Sequence, residues 1–201
     1  MTVPVTKKII NIKKETNFKY LNLYTLTYCD REKVYDYYVA SRRDEQKLTC
    51  VGNDVTDAVR IIPYFVKNNK TYVVLINEFR HAINGYMYSV PAGLVDEGES
   101  ELQSAIREVK EETGATVKKI YQTESARFVS AGMTDEKISC FEAEVVLDGE
   151  QNLGETEDIK VKVIAIDELE DFLDNNTFGM QTALQLRAFL YRKKLENLQG
   201  K

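Results

Sequence analysis

The first third of the chain interleaves polar residues with Ile, Val, Tyr and Thr, a pattern that favours β-strands. Three segments carry it: TKKIINI at 6–12, FKYLNLYTLTYC at 18–29 and KVYDYYVA at 33–40. The polar stretch SRRDEQKLTCVGNDVTD, at 41–57, follows and is typical of a linker or a long loop. The pattern predicts a small antiparallel β unit over residues 1–50, followed by a larger domain over residues 51–201.

The larger domain mixes strands with helices. Strands are expected at 58–67, 71–80, 117–125, 137–146 and 158–166, and helices at 99–113, 167–175 and 180–198. Asn68 and Asn69 give a tight-turn signal between the first two of these strands. The last helix is expected to bury one apolar face, made of Leu184, Leu186, Phe189 and Leu190. This order of elements fits an α/β (α+β) layer domain with a small β appendage.

Composition narrows the classes of function. The chain has 201 residues and a net charge of −5, which argues against a broad nucleic-acid surface. Its single histidine, His81, excludes a multi-histidine metal centre, and its three cysteines form no C-x-x-C pair. No apolar run approaches the roughly 20 residues that span a bilayer, and the N-terminus lacks the layout of a signal peptide. We therefore expect a soluble, cytoplasmic protein with no membrane or nucleic-acid partner.

The predicted helix over 99–113 carries a stripe of carboxylates. Ideal helical geometry places Glu111 and Glu112 within about 60° of Glu108, beside an apolar stripe of Leu102, Ala105, Val109 and Thr113. Like charges one turn apart destabilise a helix by roughly 0.2–0.5 kcal/mol, so local helix stability does not explain them. A divalent cation does, because Mg²⁺ and Mn²⁺ prefer oxygen ligands. From spacing alone, a solvated acidic face remains the alternative.

The segment around this helix resembles a known motif. Residues 93–115 are similar to the Nudix box, Gly-x5-Glu-x7-Arg-Glu-U-x-Glu-Glu-x-Gly-U, in which U is a bulky aliphatic residue. The matching positions are Gly93, Glu99, Arg107, Glu108, Val109, Glu111, Glu112 and Gly114, with Ala115 smaller than usual at the last position. The flanking Pro91-Ala92-Gly93 turn and the Glu78-Phe79-Arg80 strand end resemble the ADP-ribose pyrophosphatase branch of that family.

The resemblance implies a fold, an assembly and a reaction. The fold would be a Nudix α/β/α sandwich, with the N-terminal β unit building a homodimer. The reaction would be hydrolysis of the diphosphate bond of ADP-ribose or a related nucleoside diphosphate sugar, giving a nucleoside monophosphate and a sugar phosphate. Mg²⁺ or Mn²⁺ would be the cofactor, and the implied metal ligands are Glu108, Glu112, Glu111 and the backbone carbonyl of Ala92. Arg107 would pair with a carboxylate and hold the helix, and Glu99 would act through a metal-bound water or pair with Arg107.

The resemblance also implies a general base and a phosphate clamp. Glu136, in the loop ARFVSAGMTDE, best matches the catalytic glutamate, although Asp135 next to it is an alternative. A plain surface acid is the other interpretation of Glu136. Arg80 is the candidate phosphate clamp, because a guanidinium binds phosphate oxygens with two hydrogen bonds; the alternative is a surface arginine at a strand end.

Two departures from the branch leave the substrate open. Ala131 stands where ADP-ribose hydrolases of this family carry a proline, and Ser89 stands where relatives often have a glutamate. A Nudix hydrolase for another nucleoside diphosphate derivative or a dinucleotide is therefore an alternative. A non-catalytic nucleotide-sensing Nudix domain is a further one, and the complete set of box glutamates disfavours it.

Overall fold

The computed structural model describes residues 6–199. The chain divides into two compact units. The first unit, as described, comprises residues 6–57 and 126–138, and the second comprises 58–125 and 139–199. The assignment of dimerisation to residues 1–50 and of catalysis to residues 51–201 stays a prediction. As a compact unit, the first unit extends to Asp57 and also includes residues 126–138 from the middle of the chain.

The first unit is built on a three-stranded antiparallel sheet, in the order β1 (Lys7–Lys14), β2 (Asn22–Asp30) and β3 (Lys33–Ser41). One face of this sheet buries Tyr24 and Leu26 against Leu48, which lies between two short 3₁₀ turns. The Tyr24 hydroxyl donates to the carbonyl of Arg43 at 2.8 Å. The sheet is therefore pinned on one face by the segment that the sequence predicts as a loop.

The segment 126–138 is held to the first unit by hydrogen bonds. The Ala40 amide donates to the carbonyl of Met133 at 2.9 Å. Asp57 accepts from the Lys137 amide at 2.8 Å and from the Arg43 guanidinium at 2.6 Å. Both side chains of the Arg43–Asp57 pair are mostly buried, so each charge depends on the other for compensation.

The second unit is centred on a seven-stranded sheet with helices on both faces. Its strands are β4 (Ala58–Lys67), β5 (Lys70–Arg80), β6 (Gly85–Ser89), β7 (Ala92–Leu94), β8 (Ala115–Phe128), β9 (Lys137–Leu147) and β10 (Ile159–Ala165). The main path runs β10-β5-β4-β9-β8, with β6 paired to β5 and β7 paired to β4. The helices are α1 (Glu101–Thr113), α2 (Leu169–Asn175) and α3 (Met180–Gln199).

Alternation along the central strands decides which helix covers which face. On β4, Ile61 packs in the cluster that includes Ala105 and Val109 of α1, whereas the neighbouring Ile62 packs in the cluster of α2 and α3. Successive side chains of a strand point to opposite faces, so one strand supplies both cores. The α/β (α+β) layered architecture that the sequence predicts is confirmed.

Three details of the helices and strands differ from expectation. Leu184 is 61% exposed, because it lies about 140° around α3 from Phe189 in ideal geometry, so it faces outward. Leu102, in the first turn of α1, is 45% exposed, so the apolar stripe of that helix is buried only from Ala105 onward. Strand β8 extends from Ala115 to Phe128, beyond both predicted ends, and shortens the loop that follows.

Candidate active site

Helix α1 is fixed at both ends by local signals. At its start, the Ser100 hydroxyl accepts from the Gln103 amide while the Gln103 side chain accepts from the Ser100 amide, a capping box. At its end, Gly114 adopts a left-handed conformation with φ of 69° and donates to the Lys110 carbonyl at 2.9 Å. The helix therefore begins at Glu101, two residues later than expected, because Ser100 is the cap.

The carboxylates of Glu108 and Glu112 lie against strand β7. Only 8% of Glu108 and 5% of Glu112 is exposed. The Ala92 amide donates to Glu112 Oε2 at 3.0 Å. A Cβ atom on Gly93 would lie 1.9 Å from Glu108 Oε1, so only glycine leaves room for this carboxylate. The Ala92-Gly93 segment thus forms one wall of a carboxylate site.

Burial governs the protonation of this pair. The pKa of Glu112 is raised to about 9, chiefly by burial and also by the neighbouring charges of Glu108, Glu78 and Glu157, although the hydrogen bond from the Ala92 amide lowers it in part. Burial also raises the pKa of Glu108, although the ion pair with Arg107 lowers it in part. A buried carboxylate is costly without a cation to neutralise it. The two side chains therefore fit a site that takes up a positive ion.

Glu78 and Glu157 are members of this cluster that the sequence analysis did not assign to it. The negative charges of both raise the pKa of Glu112, and the charge of Glu157 also raises the pKa of Glu108. Glu78 is part of the Glu-Phe-Arg strand end. Because side chains two residues apart on a strand point to the same face, the sequence could have indicated that Glu78 lies beside Arg80. Glu157 belongs to the loop between β9 and β10, where the acidic run DGEQNLGETED at 148–158 was the signal.

Arg107 joins the acidic side chains to one another. Its guanidinium donates to Glu99 at 3.0 Å, to Glu108 at 2.6 Å and to Glu111 at 3.1 Å. It also donates to the carbonyl of Leu94 at 3.0 Å, which ties α1 to the end of β7. The hydrogen bond from Arg107 is the main cause of the lowered pKa of Glu99. The structure places Glu99 in direct contact with Arg107.

The carboxylate oxygens of this site are chemically suited to a hard divalent cation. Glu108 and Glu112 are buried against Ala92 and Gly93 of β7, and Glu99 and Glu111 are paired with Arg107. Within residues 6–199, however, no three His, Cys, Asp or Glu side chains lie in an arrangement that could hold a metal ion. Arg107 supplies the positive charge for Glu108 and Glu111 in this arrangement. Oxygen donors of this kind are those that Mg²⁺ and Mn²⁺ prefer.

The candidate phosphate clamp lies at the end of β5. The Arg80 side chain is half exposed, and its Nη2 is 2.5 Å from Glu78 Oε1. Because Glu78 acts in turn on Glu112, Arg80 is connected to the carboxylate cluster through Glu78.

The candidate bases Asp135 and Glu136 belong to the first unit. Asp135 is mostly buried, accepts from the Thr49 amide at 3.0 Å and lies 3.7 Å from Arg43. Glu136 is paired with Arg42 at 3.4 Å. Asp135 therefore holds its loop in place, which leaves Glu136 as the more available carboxylate of the two.

Comparison with known proteins defines the class. A model of the NUDIX domain matches residues 54–185 of this chain. The chain therefore belongs to the Nudix family, as its box indicated. Within residues 6–199, no helix has both the length and the apolar character needed to cross a membrane.

Particular relatives then refine this placement. The chain is 34% identical over 125 residues to "Putative nudix hydrolase 2" of Caenorhabditis elegans, covering 59% of this chain and 56% of that protein. It is 27% identical over 127 residues to the "ADP-ribose pyrophosphatase" of Bacillus subtilis, covering 62% and 68% respectively. It is 30% identical over 149 residues to the "ADP-ribose pyrophosphatase" of Saccharomyces cerevisiae, covering 71% and 61%. The match thus spans about three fifths of the length of these relatives.

A solved structure shares the fold. The "Crystal structure of ADP compounds hydrolase" superposes with a TM-score of 0.76, covers 98% of both chains and is 18% identical. This likeness supports the α/β layered fold with its N-terminal sheet.

Proposed function

We propose that this chain is a divalent-metal-dependent hydrolase of the diphosphate bond in ADP-ribose or a related nucleoside diphosphate sugar. The products are a nucleoside monophosphate and a sugar phosphate. The observation that carries the proposal is the pair of buried carboxylates, Glu108 and Glu112, packed against Ala92 and Gly93. The names of the Bacillus and Saccharomyces relatives support the choice of ADP-ribose. A cytoplasmic location is part of the proposal, on the sequence grounds given above.

The side chains of the site have distinct roles in this proposal. Mg²⁺ or Mn²⁺, held by Glu108, Glu112, Glu111 and the carbonyl of Ala92, would neutralise the diphosphate and lower the pKa of a bound water. Arg107 keeps Glu108 and Glu111 oriented through its hydrogen bonds. Arg80 offers a guanidinium to a phosphate oxygen. The oxygen of water attacks one phosphorus, the bond from that phosphorus to the bridging oxygen breaks, and a carboxylate takes the proton of the water.

Two loops offer a candidate carboxylate for that last role. Glu136 is the sequence-based proposal, and Glu157 is the one that acts electrostatically on Glu108 and Glu112. Replacing the true base by Gln should lower kcat by roughly 10²–10⁴-fold with little change in KM. Kinetics of Glu136→Gln, Glu157→Gln and Glu155→Gln, which lies in the same loop as Glu157, separate the two assignments. Asp135→Asn tests the alternative within the Glu136 loop.

A substrate panel tests the reaction. ADP-ribose, other nucleoside diphosphate sugars, a dinucleotide and a nucleoside triphosphate are incubated with Mg²⁺ or Mn²⁺, and products are identified by mass. We expect AMP and ribose phosphate from ADP-ribose, and no turnover with EDTA. Glu112→Gln should lower turnover by more than about 100-fold, whereas Glu101→Gln, a half-buried glutamate in the first turn of α1 that accepts from Gln122, should not. Full activity of Glu112→Gln contradicts the ligand assignment, and cleavage of triphosphates alone contradicts the substrate class.

Because of Ala131 and Ser89, a dinucleotide is an alternative substrate class. Both replace residues that relatives of the ADP-ribose branch carry. If the dinucleotide of the panel is cleaved faster than every diphosphate sugar, the alternative of a dinucleotide hydrolase replaces the first assignment while the Nudix chemistry stands.

We also propose that the chain forms a homodimer through the first unit. The face of its sheet opposite Tyr24 exposes Leu23, Val34 and Tyr38, and the adjoining turn exposes Phe18 and Tyr20. Exposed apolar side chains gathered on one side of a small sheet mark an association site. A second copy of the chain is the proposed occupant of this face.

A further inference from the structure

The loop between β9 and β10 is fastened to the end of α1 by one side chain. The Gln151 amide nitrogen donates to the carbonyl of Glu112 at 2.6 Å and to the carbonyl of Ile159 at 3.3 Å. Glu112 is in the last turn of α1, and Ile159 is the first residue of β10. One amide group therefore bridges the helix end and the strand start that border this loop.

Backbone contacts bring the same two segments together. The Asn152 amide donates to the carbonyl of Glu111 at 2.9 Å. A Cβ atom on Gly114 would lie 2.5 Å from the carbonyl oxygen of Gly149, so the chain at Gly149 runs directly past the helix cap. Carbonyls in the last turn of a helix need partners from outside the helix, and this loop supplies two of them.

The loop then forms a tight turn between Gly154 and Glu157. The Glu157 carboxylate accepts from the Gly154 amide at 2.7 Å, and the Glu157 amide donates to the Gly154 carbonyl at 3.1 Å. Glu157 also acts electrostatically on Glu108 and Glu112. Its position thus depends on a loop that Gln151 closes.

We propose that Gln151 is a positioning residue, which clamps the loop 152–158 that carries Glu157 to the last turn of α1 that carries Glu111 and Glu112. The kinetic part of this inference rests on the proposed function, whereas the clamp itself does not. A simple helix cap would stabilise α1 alone. A clamp predicts in addition that loss of the Gln151 amide changes the motion of the loop and the turnover number without changing substrate affinity.

Gln151→Met is the informative variant, because Met keeps the length of the side chain and removes both N–H donors. Hydrogen–deuterium exchange of the full chain is followed in the peptide that contains Asn152. Loss of the amide should speed exchange there by about 10-fold, since one net hydrogen bond shifts a local equilibrium by roughly that factor. The matched control is Gln122→Met, which removes an amide contact to Glu101 at the other end of α1. It should leave exchange around Asn152 unchanged.

Steady-state kinetics give the second measurement. The kcat of Gln151→Met should fall by roughly 10–100-fold, the range expected when a catalytic group is displaced by about 1 Å, while KM and the thermal midpoint stay close to wild type. Unchanged exchange around Asn152 overturns the clamp. Faster exchange with unchanged kcat overturns the positioning role. If wild type cleaves no diphosphate of the panel but Gln151→Met exchanges faster, the clamp stands and the proposed function fails.

Discussion

The structure gives a physical reason for glycine at position 93 that differs from the one its motif suggests. Its place in the box motif suggests a tight turn, yet its backbone does not adopt the left-handed region, unlike Gly98 and Gly114. What Gly93 provides is space, because any Cβ would overlap the Glu108 carboxylate. The motif therefore marks the position, and the packing against Glu108 gives the physical reason for glycine there.

Replacing Gly93 by Ala tests this cause. The added methyl must displace Glu108, so we expect a loss of about 1–3 kcal/mol in the free energy of unfolding and a large fall in turnover. Urea unfolding and an activity assay measure the two effects. Gly85→Ala is the matched control, since a Cβ there meets nothing closer than 3.7 Å. Equal stability and activity of both variants would contradict the packing of Glu108 against β7.

At the scale of elements, α3 illustrates the limits of a periodic pattern. Leu186, Phe189 and Leu190 are buried as expected, whereas Leu184 faces outward. Ion pairs also fasten this helix to α2: Glu170 accepts from the Lys194 ammonium at 2.8 Å and from the Tyr191 hydroxyl at 3.0 Å. Such pairing between two helices follows from their tertiary packing.

The Glu170 contacts predict a pH-dependent contribution to stability. The hydrogen bond from Lys194 is the main cause that lowers the pKa of Glu170. The ionised carboxylate of Glu170 is therefore more stable in the folded state than in the unfolded state. The resulting stabilisation is present above the ordinary glutamate pKa and is lost as pH falls through the lowered, folded-state pKa.

Glu170→Gln should consequently lower the urea midpoint at about pH 7 and match wild type near pH 3. Lys194→Met should give the same loss, and the double variant should add little to either single change, because the two residues form one interaction. An equal difference between wild type and Glu170→Gln at both pH values would show that the carboxylate pair is not the cause.

At the scale of the whole molecule, the open face of the N-terminal sheet predicts assembly. Tyr38→Lys and Leu23→Lys place charges where a second copy is expected to pack, and burying an unpaired charge in an interface is costly. Both variants should shift light-scattering mass from dimer to monomer at micromolar concentration. Leu195→Lys, on an exposed position of α3, should leave the mass unchanged. A monomeric wild type would refute the dimer.

The sequence by itself determined the elements and the chemical character of the site, because both follow from local rules. The alternation in strands, the Ser100 cap, the Gly114 stop and the spacing of Glu108, Glu111 and Glu112 all act within a few residues of one another. Only the tertiary structure decided which groups from distant segments meet at α1. It brought Gln151 to the helix from a loop about 40 residues away, and it assigned the segment with Glu136 to the first unit. Such contacts depend on how separate elements pack, and no local pattern encodes them.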